Sequence, residues 1–288
     1  MSTAVKAWQL DRGRWSETAS LPLTDRALRY GMSVFETIGV RNGNALLAAE
    51  HLALLEKNAR TLLFPVGSAG PSGPLPGESA HGRLGPAVPT KGSDFSGPPT
   101  LPDLPSDSRG MLRIYITAGD GGPSDPANAP RIFALFESLV GNLPDVQTAR
   151  LHPEPVTPFA HGAKTGNYWM QCAAQSAAHA EGVDHALLHD QEGRLLSGAM
   201  GNIFFVQNGT LCTPSTSLAL RPGVMRVWVM AQQSVREVEV AADCLKDAEE
   251  VFLTNSRLGV MPLRFGALEP GPVGCALRDR CRQEKIIP

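Results

Sequence analysis

Two apolar periods alternate along this 288-residue chain and predict a mixed α/β (α+β) protein. Strand-like alternation recurs at Phe35–Val40, Met111–Thr117, Arg131–Phe136, Asn202–Val206 and Val251–Leu253, while three- and four-residue spacing marks a helix at Ala49–Leu63. The alanine-rich run Tyr168–Glu181 predicts a second helix. A hydrophobic content of 42% is ordinary for a globular protein, and the length accommodates two domains.

The formal charge of -2, with neither a basic block nor an aromatic-basic stripe, argues against a nucleic-acid partner and for a small molecule. Met1–Leu23 mixes Lys6, Asp11, Arg12 and Glu17 into its apolar residues, which fits neither a signal peptide nor a membrane span; the expected location is the cytoplasm, with no membrane partner. The five cysteines, Cys172, Cys212, Cys244, Cys275 and Cys281, include no Cys-x-x-Cys pair. They are expected to be reduced, mostly packed thiols, and no metal site is expected.

In chain order, Ala4–Gln9 reads as a short strand, and Thr24-Asp25-Arg26 supplies turn and cap chemistry before Ala27–Gly31. Arg41-Asn42-Gly43-Asn44 turns the strand Phe35–Val40 into Ala45-Leu46-Leu47 as a β-hairpin. Leu52, Leu55, Ala59, Leu62 and Leu63 then give an amphipathic helix of about four turns. From Pro65 to Gly110 proline and glycine abound and no apolar period survives, so neither helix nor strand is expected. Strands resume at Met111–Thr117 and Arg131–Phe136, and 141–147 reads as a linker between a domain at 1–140 and one at 148–288.

The second half begins with strand-like Thr148–Leu151 and reaches Gly162-Ala163-Lys164-Thr165-Gly166-Asn167-Tyr168-Trp169. This stretch sets one lysine among small residues and aromatics. Such a lysine, partly desolvated, loses its proton readily and forms a Schiff base with an aldehyde. After the alanine-rich helix, which Gly182 terminates, come strands at His185–His189 and Asn202–Val206, then Leu211–Pro214. Pro222-Gly223-Val224-Met225-Arg226 starts a helix running to about Val235, and a helix N-terminus preceded by glycine is a natural phosphate site. Val238–Val240 and Val251–Leu253 read as strands around a short acidic helix at Cys244–Glu249, and Asn255-Ser256 as a polar turn.

In order, these blocks resemble the class IV aminotransferases, fold-type IV enzymes that use pyridoxal 5'-phosphate (PLP). The matching motifs are Asp25-Arg26 with Tyr30-Gly31 and Phe35-Glu36-Thr37; Lys164-Thr165-Gly166-Asn167-Tyr168; Gly198 with Asn202-Ile203-Phe204; Thr213-Pro214; Gly223–Arg226; Val251–Ser256; and Met261-Pro262. The resemblance implies a small N-terminal α/β domain, a larger β-rich, barrel-like C-terminal domain, PLP between them, and a homodimer acting on a small amino or keto acid. It further implies that Lys164 is the Schiff-base lysine and carries the Cα proton. The amides of Val224 and Met225 bind the phosphate with help from Asn255-Ser256, Tyr168 approaches the ring hydroxyl, and Asn202 belongs to the same cofactor site.

Three departures qualify the resemblance. The family has a glutamate where this chain has Ser197, and a hydroxyl does not hold the pyridine nitrogen protonated as a carboxylate does. The family's His-x-x-Arg-Leu helix pattern keeps His51 and Leu55, but its phosphate-contacting arginine is Leu54, removing a charge-assisted hydrogen bond of about 1.5–3 kcal/mol. Several relatives carry a carboxylate-anchoring arginine where this chain has Ala118, leaving Arg26, Arg29, Arg113 and Arg257 as candidate anchors. Transamination and an aminodeoxychorismate-lyase-like release of pyruvate both remain open, and an inactive dimeric binding protein of the same fold is the alternative. For Pro65–Gly110 the readings are a disordered insertion, which the scarcity of large apolar residues favours, an ordered proline-rich lid, or a stretch translated out of frame.

Overall fold

The computed structural model describes residues 5–18, 20–63, 98–127, 129–158 and 162–288. They form two sheets. The first holds β1 (Val5–Asp11), β2 (Arg14–Glu17), β3 (Ser33–Arg41), β4 (Asn44–Ala45), β5 (Gly110–Thr117) and β6 (Arg131–Ser138) in the order β2-β1-β6-β5-β3-β4, with every neighbouring pair antiparallel. Successive side chains point to opposite faces of a strand. Val34, Ile38 and Val40 of β3 and Leu112, Ile114 and Ile116 of β5 therefore build one core, onto which α2 (Ala48–Leu62) lays Leu55 and Ala59. Burying each of those large side chains is worth roughly 1.5–3 kcal/mol. The intervening residues Phe35, Thr37, Met111, Arg113 and Tyr115 face a cleft on the other side.

The short α1 (Arg26–Tyr30) is pinned to this sheet. Asp25 caps it by accepting from the Ala27 amide at 2.8 Å, and its second oxygen accepts from Thr117 Oγ1 and Arg131 Nη1, each at 2.9 Å. Arg26 has no exposed surface and donates to the carbonyls of Gly119, Ala118, Asp125 and Pro126.

The expectation of a structureless Pro65–Gly110 lies outside the described residues over 65–97. Residues 98–109 have neither helix nor strand, but they are not free of the fold: Pro99 and Pro102 are buried, and Leu101 and Leu104 pack on the first core. Gly110 belongs to β5. Leu101 and Leu104 thus join the same core that Leu55 and Ala59 of α2 enter.

The second sheet runs β12-β11-β10-β13-β14-β7-β8-β9. Its strands are β7 (Gln147–Leu151), β8 (His185–His189), β9 (Leu195–Gly198), β10 (Asn202–Gln207), β11 (Thr210–Pro214), β12 (Arg236–Val238), β13 (Glu250–Asn255) and β14 (Gly259–Phe265). Its β7 pairs parallel with β14 and β8, and a bridge between Gly198 and Gly201 curls the sheet by tying the end of β9 to the approach of β10. Ala174 and Ala178 of α3 (Trp169–Ala180) pack on Ala186, Leu188 and Leu196. Elsewhere α4 (Val224–Gln232) and α5 (Pro272–Gln283) cover Phe204, Phe252 and Val260. The helix expected to reach Val235 ends at Gln232, the strand expected at Val238–Val240 spans Arg236–Val238, and the acidic helix is a 3-10 turn at Ala242–Asp247. No helix among the described residues is long and apolar enough to cross a membrane.

Candidate active site

The lysine loop joins the two sheets. The Phe35 amide donates to the Lys164 carbonyl and the Gly166 amide to the Ser33 carbonyl, each at 2.9 Å, so the loop pairs with the start of β3. Gly162 enters it with φ at 77°, where a Cβ would run into the Leu220 backbone. Its conformation brings Lys164 into a cleft of about 930 Å³ that both sheets line. Lys164 Nζ lies 4.3 Å from the centre of the Phe35 ring and 4.5 Å from that of Tyr168, and donates to Tyr168 Oη at 3.3 Å.

This setting changes the amine. Desolvation lowers its pKa from 10.5 to about 7, the positive charges of Arg221 and Arg113 push the same way, and Glu36 opposes them. Burial conversely raises the pKa of the Tyr168 phenol, keeping it a neutral hydroxyl. A neutral amine beside a neutral phenol is a nucleophile and a base with an adjacent proton carrier.

A second group of donors gathers at the start of α4. The first-turn amides of a helix have no intrahelical acceptor, and Val224 and Met225 line the cleft. Gly223 precedes them without any capping side chain; a Cβ there would collide with Asn202 Oδ1. Asn202 in turn donates to the Arg221 carbonyl at 2.9 Å and so fixes the turn into the helix. From β13, Thr254 is 2% exposed, lines the cleft, and its Oγ1 has no hydrogen-bond partner. Asn255 Oδ1 accepts from the amides of Arg257 and Leu258 at 3.0 and 2.8 Å, shaping the turn that presents Ser256.

Ser256 begins a chain of polar contacts. Its Oγ lies 3.2 Å from His51 Nε2, His51 Nδ1 lies 2.9 Å from Glu36 Oε2, and Arg221 Nη2 donates to that same oxygen at 2.6 Å. Burial alone would raise the pKa of the Glu36 carboxyl, but the charge of Arg221 and the hydrogen bonds from His51 and Arg221 outweigh it and hold the carboxylate below its ordinary range. Glu36, Arg221 and Thr254 are functional candidates that reading the sequence did not single out. Glu36 and Arg221 meet across 185 residues, so no local spacing betrays the pair.

The sequence-predicted residues are thus brought together: Lys164, Tyr168, Ser197, Asn202, Val224, Met225, Asn255 and Ser256 all line this one cleft. Ser197 lies on β9 opposite Leu188. Of the arginines proposed as carboxylate anchors, Arg26 is corrected to a structural residue, since its guanidinium is consumed by buried carbonyls. Arg29 donates to the Gly121 carbonyl and Tyr30 Oη. Arg113, ion-paired with Glu137, and the exposed Arg257 line the cleft.

The set fits the group that the resemblance implies. Free helix amides, an orphaned buried hydroxyl and an arginine suit a phosphate, and the amine suits an aldehyde.

The family model described as amino-transferase class IV matches residues 99–264. The branched-chain-amino-acid aminotransferase of Salmonella typhimurium is 30% identical over 87% of this chain and 81% of its own. An aminotransferase from Brucella abortus, solved bound to PLP, superposes with a TM-score of 0.73 at 22% identity, covering 97% of this chain and 99% of that one. A 4-amino-4-deoxychorismate lyase from Pseudomonas aeruginosa gives 0.69 at 23% identity, covering 96% and 98%.

Proposed function

Because the chain belongs to the class IV aminotransferase family, whose enzymes depend on PLP, we propose that it transfers an amino group between small amino and keto acids, with Lys164 moving the proton at Cα. The observation that carries this reading is the lysine itself: an amine that is half neutral near pH 7, pointed into the cleft and bonded to a phenol. Bound PLP supplies an aldehyde that captures the substrate's amine and a ring that withdraws electrons from its Cα. The remaining work falls to the chain. Val224, Met225, Thr254 and Ser256 would hold the phosphate, Tyr168 would orient the ring hydroxyl while it steadies the Lys164 amine, and Ser197 would be the partner of the ring nitrogen. Asn202 and Asn255 shape the two turns on which those donors sit. Phe35, Tyr115 and Met200 give the cleft an apolar wall that suits an apolar substrate side chain, and Arg113, which lines the same cleft, is a candidate for its carboxylate.

The test is covalent. PLP is added, borohydride reduces the adduct, and peptide mass spectrometry locates the fixed pyridoxyl group. Attachment at Lys164, lost in Lys164→Ala, is expected; attachment elsewhere, or none, contradicts the reading and favours the inactive binding protein.

One observation favours a second reading, elimination with release of pyruvate. Ser197 has no charge with which to keep the ring nitrogen protonated, and elimination of a good leaving group demands less of the ring than full transamination. Ser197→Glu is therefore expected to raise half-transamination more than pyruvate release from an aminodeoxychorismate-type substrate. Equal gains in both, or loss of both, remove this argument.

We also infer a homodimer. Trp169 is 82% and Met170 50% exposed at the start of α3, and Asn167 Nδ2 reaches the Gly31 carbonyl at 3.4 Å, setting them beside the exposed Leu28 and Tyr30. Met170 also lines the cleft, so a second copy seated there closes it.

A further inference from the structure

We infer that Arg221 is the cationic anchor of the cofactor phosphate, supplied by the second sheet in place of the arginine that the first helix lacks at Leu54. The inference rests on the PLP reading above and deepens it. Four observations support it. Arg221 Nη1 is buried without a hydrogen-bond partner, although its Nη2 is held by Glu36. A buried guanidinium N–H left unpaired costs free energy, which a phosphate oxygen would recover. Arg221 Nε lies 4.0 Å from where a Cβ on Gly223 would stand, placing the guanidinium at the mouth of the α4 amides. Thr254 Oγ1, buried and unpartnered on β13, lines the same cleft.

The fourth observation is chemical. In PLP the aldehyde and the phosphate ester are carried by neighbouring ring carbons, so a cation serving the phosphate must also stand close to the lysine. Arg221 is the strongest charge acting on Lys164. Among the described residues, the other arginines of the cleft fit less well: Arg113 is ion-paired with Glu137, and Arg257 is exposed to water. At residue 54, α2 carries a leucine, and His51 from that helix instead reaches Glu36, which positions Arg221. Arg60, further along α2, pairs with Glu56 at 2.7 Å.

The experiment titrates the apo protein separately with PLP and with pyridoxal, which lacks the phosphate, and follows the bound chromophore. In Arg221→Met the dissociation constant for PLP is expected to rise about tenfold or more while that for pyridoxal changes little, as befits loss of a charge-assisted hydrogen bond. Removing Arg221 alone leaves the buried Glu36 carboxylate with His51 but without the guanidinium that balances its charge. The double variant Glu36→Gln/Arg221→Met therefore serves as the folding-safe form, with the same selective loss expected. Arg221→Lys should retain most of the PLP affinity, and Arg257→Gln should alter it less than Arg221→Met does. Unchanged PLP affinity in both Arg221→Met variants overturns the inference, as does an equal loss for PLP and pyridoxal, which would mark a merely structural arginine. Failure of the unsubstituted protein to take up PLP overturns the cofactor reading and this inference with it.

Discussion

Lys164 differs from a surface lysine in what surrounds its amine: two aromatic rings, a phenol and a nearby guanidinium. Burial among these groups and the repulsion of Arg221 disfavour the ammonium more than the aromatic faces favour it, and the resulting pKa of about 7 has two measurable consequences. Capture of PLP by the apo protein should accelerate as pH rises through about 7 and then level off. Stability should follow the same group. The folded-state pKa lies below the unfolded value of 10.5, so between about 7 and 10.5 the unfolded chain binds more protons and the free energy of unfolding rises with pH. Urea titrations across that window should show a smaller rise in Lys164→Met than in the parent; identical slopes would mean that the amine is not desolvated.

At the scale of elements, the site depends on how short segments are tied down. Arg26 fastens α1 to the loop after β5 through four carbonyls. Arg26→Ala leaves those acceptors buried without donors and should destabilise the protein by about 3 kcal/mol or more, read as a lower urea midpoint. Gly223→Ala should act differently. Its Cβ collides with Asn202 Oδ1, so the turn into α4 shifts and PLP affinity should fall while the fold persists.

The sequence made much of this legible because period and turn chemistry are local. The Asn42-Gly43 turn between β3 and β4, the spacing of Leu55 and Ala59 on α2, and the glycine before α4 all follow from neighbours in the chain. What it hid depends on distance. The strand β14 and helix α5 are hidden in the sequence because Gly259–Phe265 holds a proline within it and Pro272–Gln283 is crowded with arginines, so neither shows a clean period. Arg26 stands among the candidate carboxylate anchors in the sequence because its four acceptors lie more than ninety residues away. The lysine loop, the α4 turn and the Asn255-Ser256 turn were visible through their motifs, whereas the Ser256–His51–Glu36–Arg221 chain exists only once both sheets are assembled.

At the scale of the whole molecule, the two sheets meet at a cleft whose floor is the lysine loop and whose rim carries exposed Met170, next to exposed Trp169 in the chain. Trp169→Glu should shift the protein toward monomer in analytical ultracentrifugation and weaken PLP retention; a parent protein that sediments as a monomer would contradict the dimer. The central claim is that Lys164 moves the proton at Cα, and it can be watched directly. With PLP present, an amino-acid substrate in D2O should exchange its α-proton for deuterium, and Lys164→Ala should slow that exchange by about a hundredfold or more. Exchange that proceeds as fast in Lys164→Ala as in the parent protein would contradict the account.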